Sequence, residues 1–143
     1  MRVKLLNDSY PKTYAVVFGT GDEVLAGLQA FAESNDVAAC QVTGIGAVSD
    51  AVLGYFDPER KDYLRNVVRN QSEVLTLAGD ITCGPDGHQL HLHAVLADES
   101  ARAYGGHLLE AHVRPTLEAI VSESPGYLTR AIDPETKLPL VRG

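Results

Sequence analysis

Residues 90–97 constrain the fold most, because their apolar side chains recur with a period of two. In a β-strand, successive side chains point to opposite faces of the sheet. Four apolar side chains therefore share one face of the predicted strand: Leu90, Leu92, Ala94 and Leu96. His91 and His93 must lie together on the other face, so the pattern predicts a half-buried strand that carries two neighbouring imidazoles.

A third imidazole follows in the next predicted strand. His107 comes fourteen residues after His93 and directly follows Gly105 and Gly106, whose small size allows two backbones to approach closely. Neutral imidazoles are good zinc ligands, and three of them leave a fourth coordination position open. We therefore predict a zinc site formed by His91, His93 and His107. The alternative is that these side chains are structural and hydrogen-bond to one another or to backbone at a subunit boundary.

Two carboxylates, Glu73 and Asp80, lie on or beside another predicted strand. Either could accept a proton or complete a coordination sphere, and Glu73 is the candidate base if a metal activates water. Both could equally be exposed strand carboxylates. Cys83, at the end of the same strand, could also join a metal site. His88 belongs to a polar turn and His112 to a face with charged residues, so neither is predicted to be a ligand.

The chain has 143 residues, of which 45% are apolar and 22% are charged. These values are typical of a globular protein, and the length predicts one domain over residues 1–143. No apolar run of membrane-spanning length and no N-terminal signal sequence is present, so we expect a cytoplasmic protein without membrane association. Cys40 lies in an apolar segment and is predicted to be a buried free thiol.

The net charge of the chain is −7, and its basic residues form no cluster. An acidic protein repels the phosphate backbone of nucleic acids unless its cations are concentrated on one surface. The basic side chains between Arg60 and Arg69 are scattered, as is typical of a solvated face. Charge therefore argues against DNA binding by this chain on its own.

One helix is predicted from about residue 22 to residue 34, with Asn35 as its terminator. Thr20 and Glu23 have the spacing of a capping box, in which a threonine hydroxyl and a glutamate three residues later satisfy free amide groups. Five apolar side chains form a stripe with helical spacing that should face the core: Val24, Leu25, Leu28, Phe31 and Ala32.

Short apolar segments with a period of two predict an antiparallel sheet. They span residues 14–18, 47–56, 63–68, 73–82, 90–97 and 107–113. Residues 43–46 contain two glycines and are interpreted as a structural turn rather than an anion-binding loop. Residues 115–122 fit either a strand or a helix that begins at a proline. The predicted fold class is α+β, with a largely antiparallel sheet flanked by one or two α-helices.

Four motifs occur in the order typical of a known family. They are Val42-Thr43-Gly44-Ile45-Gly46-Ala47-Val48, Leu53-Gly54-Tyr55-Phe56, Leu90-His91-Leu92-His93 and Gly105-Gly106-His107-Leu108. In these motifs, and over nearly the whole chain from about residue 14 to residue 132, the sequence resembles the plant- and prokaryote-conserved (PPC) domain family. The resemblance implies an antiparallel sheet flanked by helices, a strand at residues 115–122, and assembly into a homotrimer.

In plants, the PPC domain accompanies an AT-hook in nuclear DNA-binding proteins and mediates interactions with itself and with transcription factors. Prokaryotic members usually consist of this domain alone and often carry a DNA-binding label. An AT-hook reads the minor groove through an Arg-Gly-Arg-Pro core, and this sequence contains no such core. At residues 71–75, where plant members carry a partner-contacting motif, only Glu73 and Leu75 broadly match. Plant-type recruitment of transcription factors is therefore not implied.

We expect a homotrimeric PPC protein that binds a metal ion, zinc, and has a binding or regulatory role toward a small ligand or a protein partner. Aromatic side chains near predicted strand ends offer material for the trimer interface: Tyr55, Phe56, Tyr63 and Tyr104. The alternatives are a DNA-associated regulator and an enzyme in which the metal activates water for attack on a small molecule. The sequence identifies no substrate.

Overall fold

The computed structural model describes residues 1–142. Within them, nine strands form one sheet and a single helix packs against it. In chain order, the elements are β1 (Arg2–Asn7), β2 (Thr13–Gly19), α1 (Val24–Ser34), β3 (Ala39–Asp57), β4 (Asp62–Val68), β5 (Ser72–Gly84), β6 (Gly87–Ala97), β7 (Ala103–Glu123), β8 (Thr129–Ile132) and β9 (Pro139–Arg142). All strand pairs are antiparallel except β5 with β8. The predicted antiparallel sheet is confirmed, with one helix in the described residues.

Two long strands, β3 with 19 residues and β7 with 21, form the centre of the sheet. They pair from Cys40 opposite Glu123 to Gly54 opposite His107. β2 pairs with the second half of β7, and β5 pairs with the first half of β3. Residues 115–122 lie within β7, as the resemblance implied. Their pairing with β2 on one side and β3 on the other selects the strand over the helix.

A second connection joins the two central strands. β5 pairs with β6, and β6 pairs in turn with the first residues of β7. β3, β5, β6 and β7 therefore form a closed circuit of hydrogen-bonded strands, in which the register of each pair constrains the others. This circuit places His93 opposite His107 and Asp80 opposite His91.

Gly44 and Gly46 lie inside β3, so the prediction of a turn at residues 43–46 is wrong. The register between β3 and β5 shifts at these residues, as it does in a β-bulge. A Cβ atom on Gly44 would come within 2.9 Å of the carbonyl oxygen of Glu118 on β7. The glycines therefore permit a close passage of β3 across β7 that a side chain would obstruct.

α1 covers one face of the sheet, over β6 and β7. It begins two residues later than predicted and ends where predicted, with Asn35 as its C-cap. Four of the five predicted stripe residues are buried: Val24, Leu28, Phe31 and Ala32. They pack with buried side chains of the sheet, among them Phe18, Leu77, Leu92, Leu117 and Val121. No helix among residues 1–142 is long and apolar enough to cross a membrane.

The start of α1 differs from the predicted capping box. The carboxylate of Glu23 caps the helix by accepting a 2.6 Å hydrogen bond from the backbone amide of Ala26. The hydroxyl of Thr20 instead donates to the carbonyl oxygen of Pro115, so its prediction as the cap is wrong. The second carboxylate oxygen of Glu23 accepts from the amide of Ala111, which ties the start of the helix to β7.

The thiol of Cys40 is buried in the core, as predicted. Burial raises its pKa to about 12, which keeps the thiol protonated near neutral pH. Because the thiolate is the nucleophile and the metal ligand, Cys40 is chemically inert in the folded protein. Its contribution is therefore to packing.

Gly79 tests how strongly the register of β5 against β6 supports the fold. A Cβ atom at this position would run into the backbone carbonyl of His91. We expect Gly79→Ala to lower the free energy of unfolding by about 1–3 kcal/mol, because the two strands must separate locally. Gly126→Ala is the matched control, since its added Cβ would be 3.6 Å from the Cβ of Ala38. Urea denaturation measures both variants, and equal stabilities would contradict the predicted constraint.

Candidate metal centre

His91 and His93 lie on the same face of β6, as the alternation predicts. Leu92 between them is buried on the opposite face, together with Ala94 and Leu96. The two imidazoles are in contact, with their Nε2 atoms 3.3 Å apart. The predicted pair of neighbouring imidazoles is therefore confirmed.

His107 joins this pair from the neighbouring strand, where it lies directly opposite His93. Its ring centre is 5.2 Å from that of His91 and 5.4 Å from that of His93, and the two rings on β6 are 5.2 Å apart. Each histidine offers one ring nitrogen, and these three nitrogens all lie within 4.8 Å of one another. We call His91, His93 and His107 the histidine cluster.

The spacing of the nitrogen atoms suits a tetrahedral metal ion. Zinc–nitrogen bonds of about 2.0–2.1 Å place two tetrahedral ligands about 3.3–3.4 Å apart. The 3.3 Å between the Nε2 atoms of His91 and His93 matches that separation. The buried Nδ1 atom of His107 has no hydrogen-bond partner among the described residues, so no structural hydrogen bond occupies it. The donors therefore fit a divalent metal that prefers imidazole.

Burial favours the neutral form of two of these imidazoles. Burial, followed by repulsion from His91 and His93, lowers the pKa of His107 to about 4. Burial also lowers the pKa of His91, and the positive charge of Arg130 lowers it further. A neutral imidazole has a lone pair for a metal, whereas an imidazolium has none. Near neutral pH, the environment of these two rings therefore favours metal binding over protonation.

Two further side chains contact the rings. Tyr63 on β4 stacks on His107, with ring centres 4.5 Å apart and planes 21° from parallel. Arg130 on β8 places Nη2 3.4 Å from Nδ1 of His91 and donates to Asp80 over 2.6 Å. Sequence reasoning missed Arg130 and the contact of Tyr63 with the cluster. No local pattern could have identified them, because their approach depends on how β4 and β8 join the sheet.

A cavity of about 230 Å³ lies beside the histidine cluster. His91 and His107 line it, together with Arg130. Its remaining walls come from β4, β6 and the segment at the start of β9: Tyr63, Gln89, Leu90, Leu138, Pro139 and Leu140. The cavity gives a small molecule access to the cluster.

Two of the other predicted candidates do not reach the cluster. Glu73 lies five residues along β5 from Ala78, the residue opposite His93. At about 3.4 Å per residue, Glu73 is about 17 Å from the cluster along the strand, so its prediction as a base or ligand there is wrong. Cys83 donates to the carbonyl oxygen of Ala38 and does not join the cluster.

The two histidines excluded from the zinc site have different environments. His88 places Nε2 2.9 Å from the carbonyl oxygen of Val37, outside the cluster as predicted. His112 is not simply solvated, because its Nδ1 lies 2.8 Å from a carboxylate oxygen of Asp50. Asp50, Glu110 and His112 bring three ligand atoms within 4.8 Å of one another, and we call them the Asp–Glu–His cluster. Sequence reasoning missed this group because Asp50 and His112 meet only through the register of β3 against β7.

Most of the chain matches one known protein family. Residues 7–125 match the Plants and Prokaryotes Conserved (PCC) domain, also abbreviated PPC. The chain therefore belongs to this family. The matched region contains all three members of the histidine cluster, whereas Arg130 lies beyond it.

Two solved structures share this architecture, and a curated relative is similar in sequence. A Bacteroides thetaiotaomicron protein, provisionally named as DNA-binding, is 26% identical, with a TM-score of 0.89 over 98% of this chain and 96% of that chain. A metal-containing protein from Archaeoglobus fulgidus is 29% identical, with a TM-score of 0.85 over 98% of this chain and 99% of that chain. The bifunctional protein GlmU of Synechococcus sp. (strain JA-3-3Ab) is 31% identical over 87% of this chain. This chain spans 19% of the length of that curated relative.

The pair of Asp50 and His112 implies a pH dependence of stability. The hydrogen bond from His112 to Asp50 raises the pKa of His112 above its ordinary value of 6.5. Hydrogen bonds from Ser49 and His112 lower the pKa of Asp50 below the ordinary 3.8. The contribution of His112 to the free energy of unfolding is complete below pH 6.5. It is lost as the pH rises through the pKa that His112 has in the folded protein. The contribution of the Asp50 carboxylate to the free energy of unfolding is complete above pH 3.8. It is lost as the pH falls through the pKa that Asp50 has in the folded protein.

We therefore expect Asp50→Asn to reduce stability most between pH 3.8 and pH 6.5, and progressively less toward alkaline pH. The effect should be small, because solvent screens both side chains. Urea denaturation at a series of pH values measures it, and His112→Asn should remove the part that is lost toward alkaline pH. A loss of stability that does not vary with pH would contradict the prediction.

Proposed function

We propose that this protein is a cytoplasmic homotrimer of one-domain chains that binds one zinc ion per chain through His91, His93 and His107. Its role would be binding or regulation through a small ligand or a protein partner. The observation that carries the proposal is the convergence of three imidazole nitrogens within 4.8 Å on two neighbouring strands. Imidazole suits zinc and similar transition metals, whereas magnesium and calcium prefer oxygen ligands. The metal-containing relative from A. fulgidus, which shares the whole fold, supports the proposal.

Three protein ligands leave one position of a tetrahedral zinc ion open. The cavity beside the histidine cluster gives a small molecule access to that position. A general base within reach would assist the activation of water at that position. Glu73 is distant, and Asp80 is paired with Arg130. We therefore favour ligand binding over hydrolysis as the role of the open position.

An apolar groove on the sheet supports the homotrimer. Ile45 on β3 is 62% exposed there, and Ile120 on β7 is also exposed. The groove includes further side chains from four strands, most of them small or apolar: Ala15, Val17, Thr43, Thr76 and Ala119. The carboxylate of Glu118 also lines it. Exposed apolar surface of this kind is typical of subunit interfaces.

DNA binding is the second candidate, because the relative from Bacteroides has a provisional DNA-binding name. The net charge of −7 and the scattered basic residues oppose it in this chain. Binding that neutralises several phosphates falls steeply as the salt concentration rises. We therefore rank DNA binding below metal binding, and salt-sensitive binding to duplex DNA would reverse that order.

The metal proposal predicts one zinc ion per chain after loading and desalting, as measured by elemental analysis. His107→Asn should weaken zinc binding by more than about 100-fold, because one of three protein ligands is lost. His88→Asn is the matched control, since it replaces a half-buried histidine outside the cluster. Competition with a chelating dye gives the affinities, and circular dichroism confirms that each variant is folded.

His112→Asn distinguishes the two clusters. If zinc binds at the histidine cluster, this variant should retain the ion. Retention of zinc by His107→Asn and its loss from His112→Asn would contradict the proposal and assign the ion to the Asp–Glu–His cluster. A wild-type chain that binds no zinc would also contradict it.

The homotrimer proposal predicts a mass by light scattering of three chains of 15.3 kDa each. Ile45→Glu should shift the protein toward monomer, because an unpaired carboxylate would be buried at the interface. Tyr127→Glu is the control, at a position that is 84% exposed and outside the groove. A wild-type monomer at micromolar concentration would contradict the proposal.

A further inference from the structure

Arg130 is charged and almost completely buried, with 4% of its side chain exposed. It lines the cavity beside the histidine cluster. Its Nη1 atom donates to the carbonyl oxygen of Pro139 over 2.8 Å, and its Nη2 atom donates to Asp80 over 2.6 Å. Its buried Nε atom has no partner among the described residues. Because a guanidinium carries N–H donors on all three nitrogens, this one is only partly satisfied by the protein.

Metal binding would release a further donor of Arg130. Its Nη2 atom lies 3.4 Å from Nδ1 of His91, which can accept a hydrogen bond only while that nitrogen carries no hydrogen. If Nε2 of His91 gives its lone pair to a metal, Nδ1 keeps the hydrogen and no longer accepts from Arg130. The guanidinium then requires an acceptor that is not part of the cluster.

The size and walls of the cavity narrow the choice of ligand. Its volume is about 230 Å³. A cavity of about 150 Å³ accommodates benzene, so this one holds a ligand of about six to ten non-hydrogen atoms. Apart from the polar groups, its walls include four apolar side chains: Leu90, Leu138, Pro139 and Leu140. A ligand with an anionic head of two oxygen atoms would suit the polar groups of the cavity, and a short hydrocarbon tail would suit its apolar side chains.

We propose that the cavity binds a short-chain carboxylate as the fourth ligand of the metal. One carboxylate oxygen occupies the open metal position, and the other accepts a hydrogen bond from Arg130. Asp80 balances the charge of Arg130, so the metal supplies the net positive charge that retains the anion. The inference rests on the proposed metal site and names the class of ligand that the site takes.

Cobalt(II)-loaded protein tests this inference, because the visible absorption of cobalt changes with its coordination. Titration with 3-methylbutanoate should shift the absorption in a saturable manner. The uncharged isostere 3-methylbutanamide should bind at least about tenfold more weakly, because it lacks the charge that the metal attracts and its NH2 group cannot accept a hydrogen bond from Arg130. Equal binding of the carboxylate and the amide would overturn the inference.

Two substitutions test the cavity itself. Arg130→Met should weaken the binding of 3-methylbutanoate at least about tenfold while cobalt uptake persists. Leu138→Trp should abolish the spectral shift, because the indole fills the cavity. Leu75→Trp is its matched control, at an exposed position on β5 outside the cavity. Wild-type binding by Leu138→Trp would overturn the inference even if Arg130→Met does not fold.

Failure of the metal site and failure of this inference give different results. A wild-type chain that takes up no cobalt refutes the proposed function and the inference together. Cobalt uptake with no effect of 3-methylbutanoate overturns the inference alone.

Discussion

The pairing of β3 with β7 determines where most of the other strands lie. Each of the two is long enough to meet different neighbours along its length, so β7 pairs with β2 and β6, whereas β3 pairs with β5 and β4. Closure of β3, β5, β6 and β7 into one circuit leaves little freedom of register, since a slip by one residue would reverse the faces of every side chain in a strand. The juxtaposition of His93 with His107 follows from that register.

The two clusters of ligating side chains have opposite tendencies toward protonation. Burial lowers the pKa of His107 and of His91, which keeps their lone pairs available to a metal. Asp50 instead raises the pKa of His112, so a metal there must compete with a proton up to a higher pH. In each cluster, three ligand atoms lie within 4.8 Å of one another. The opposite pKa shifts of their histidines favour metal binding at the histidine cluster.

Local patterns in the sequence predict the parts of the site that lie within one strand. Alternation alone places His91 and His93 on one face, whereas the position of His107 depends on the pairing of β6 with β7. Arg130 reaches the site from a strand that has only a short pairing with β5, so no periodicity indicates it. The capping prediction failed at Thr20 for a related reason, because its hydroxyl finds an acceptor on β7 that is distant in sequence. Tertiary contacts, rather than local propensity, determine the positions of these side chains.

The most direct test of the metal site is X-ray diffraction from crystals of the zinc-loaded protein, with data collected at the zinc absorption edge. An anomalous peak should lie about 2.0–2.1 Å from one ring nitrogen of each of His91, His93 and His107. A peak at Asp50, Glu110 and His112 instead, or no peak at the histidine cluster, would contradict the account.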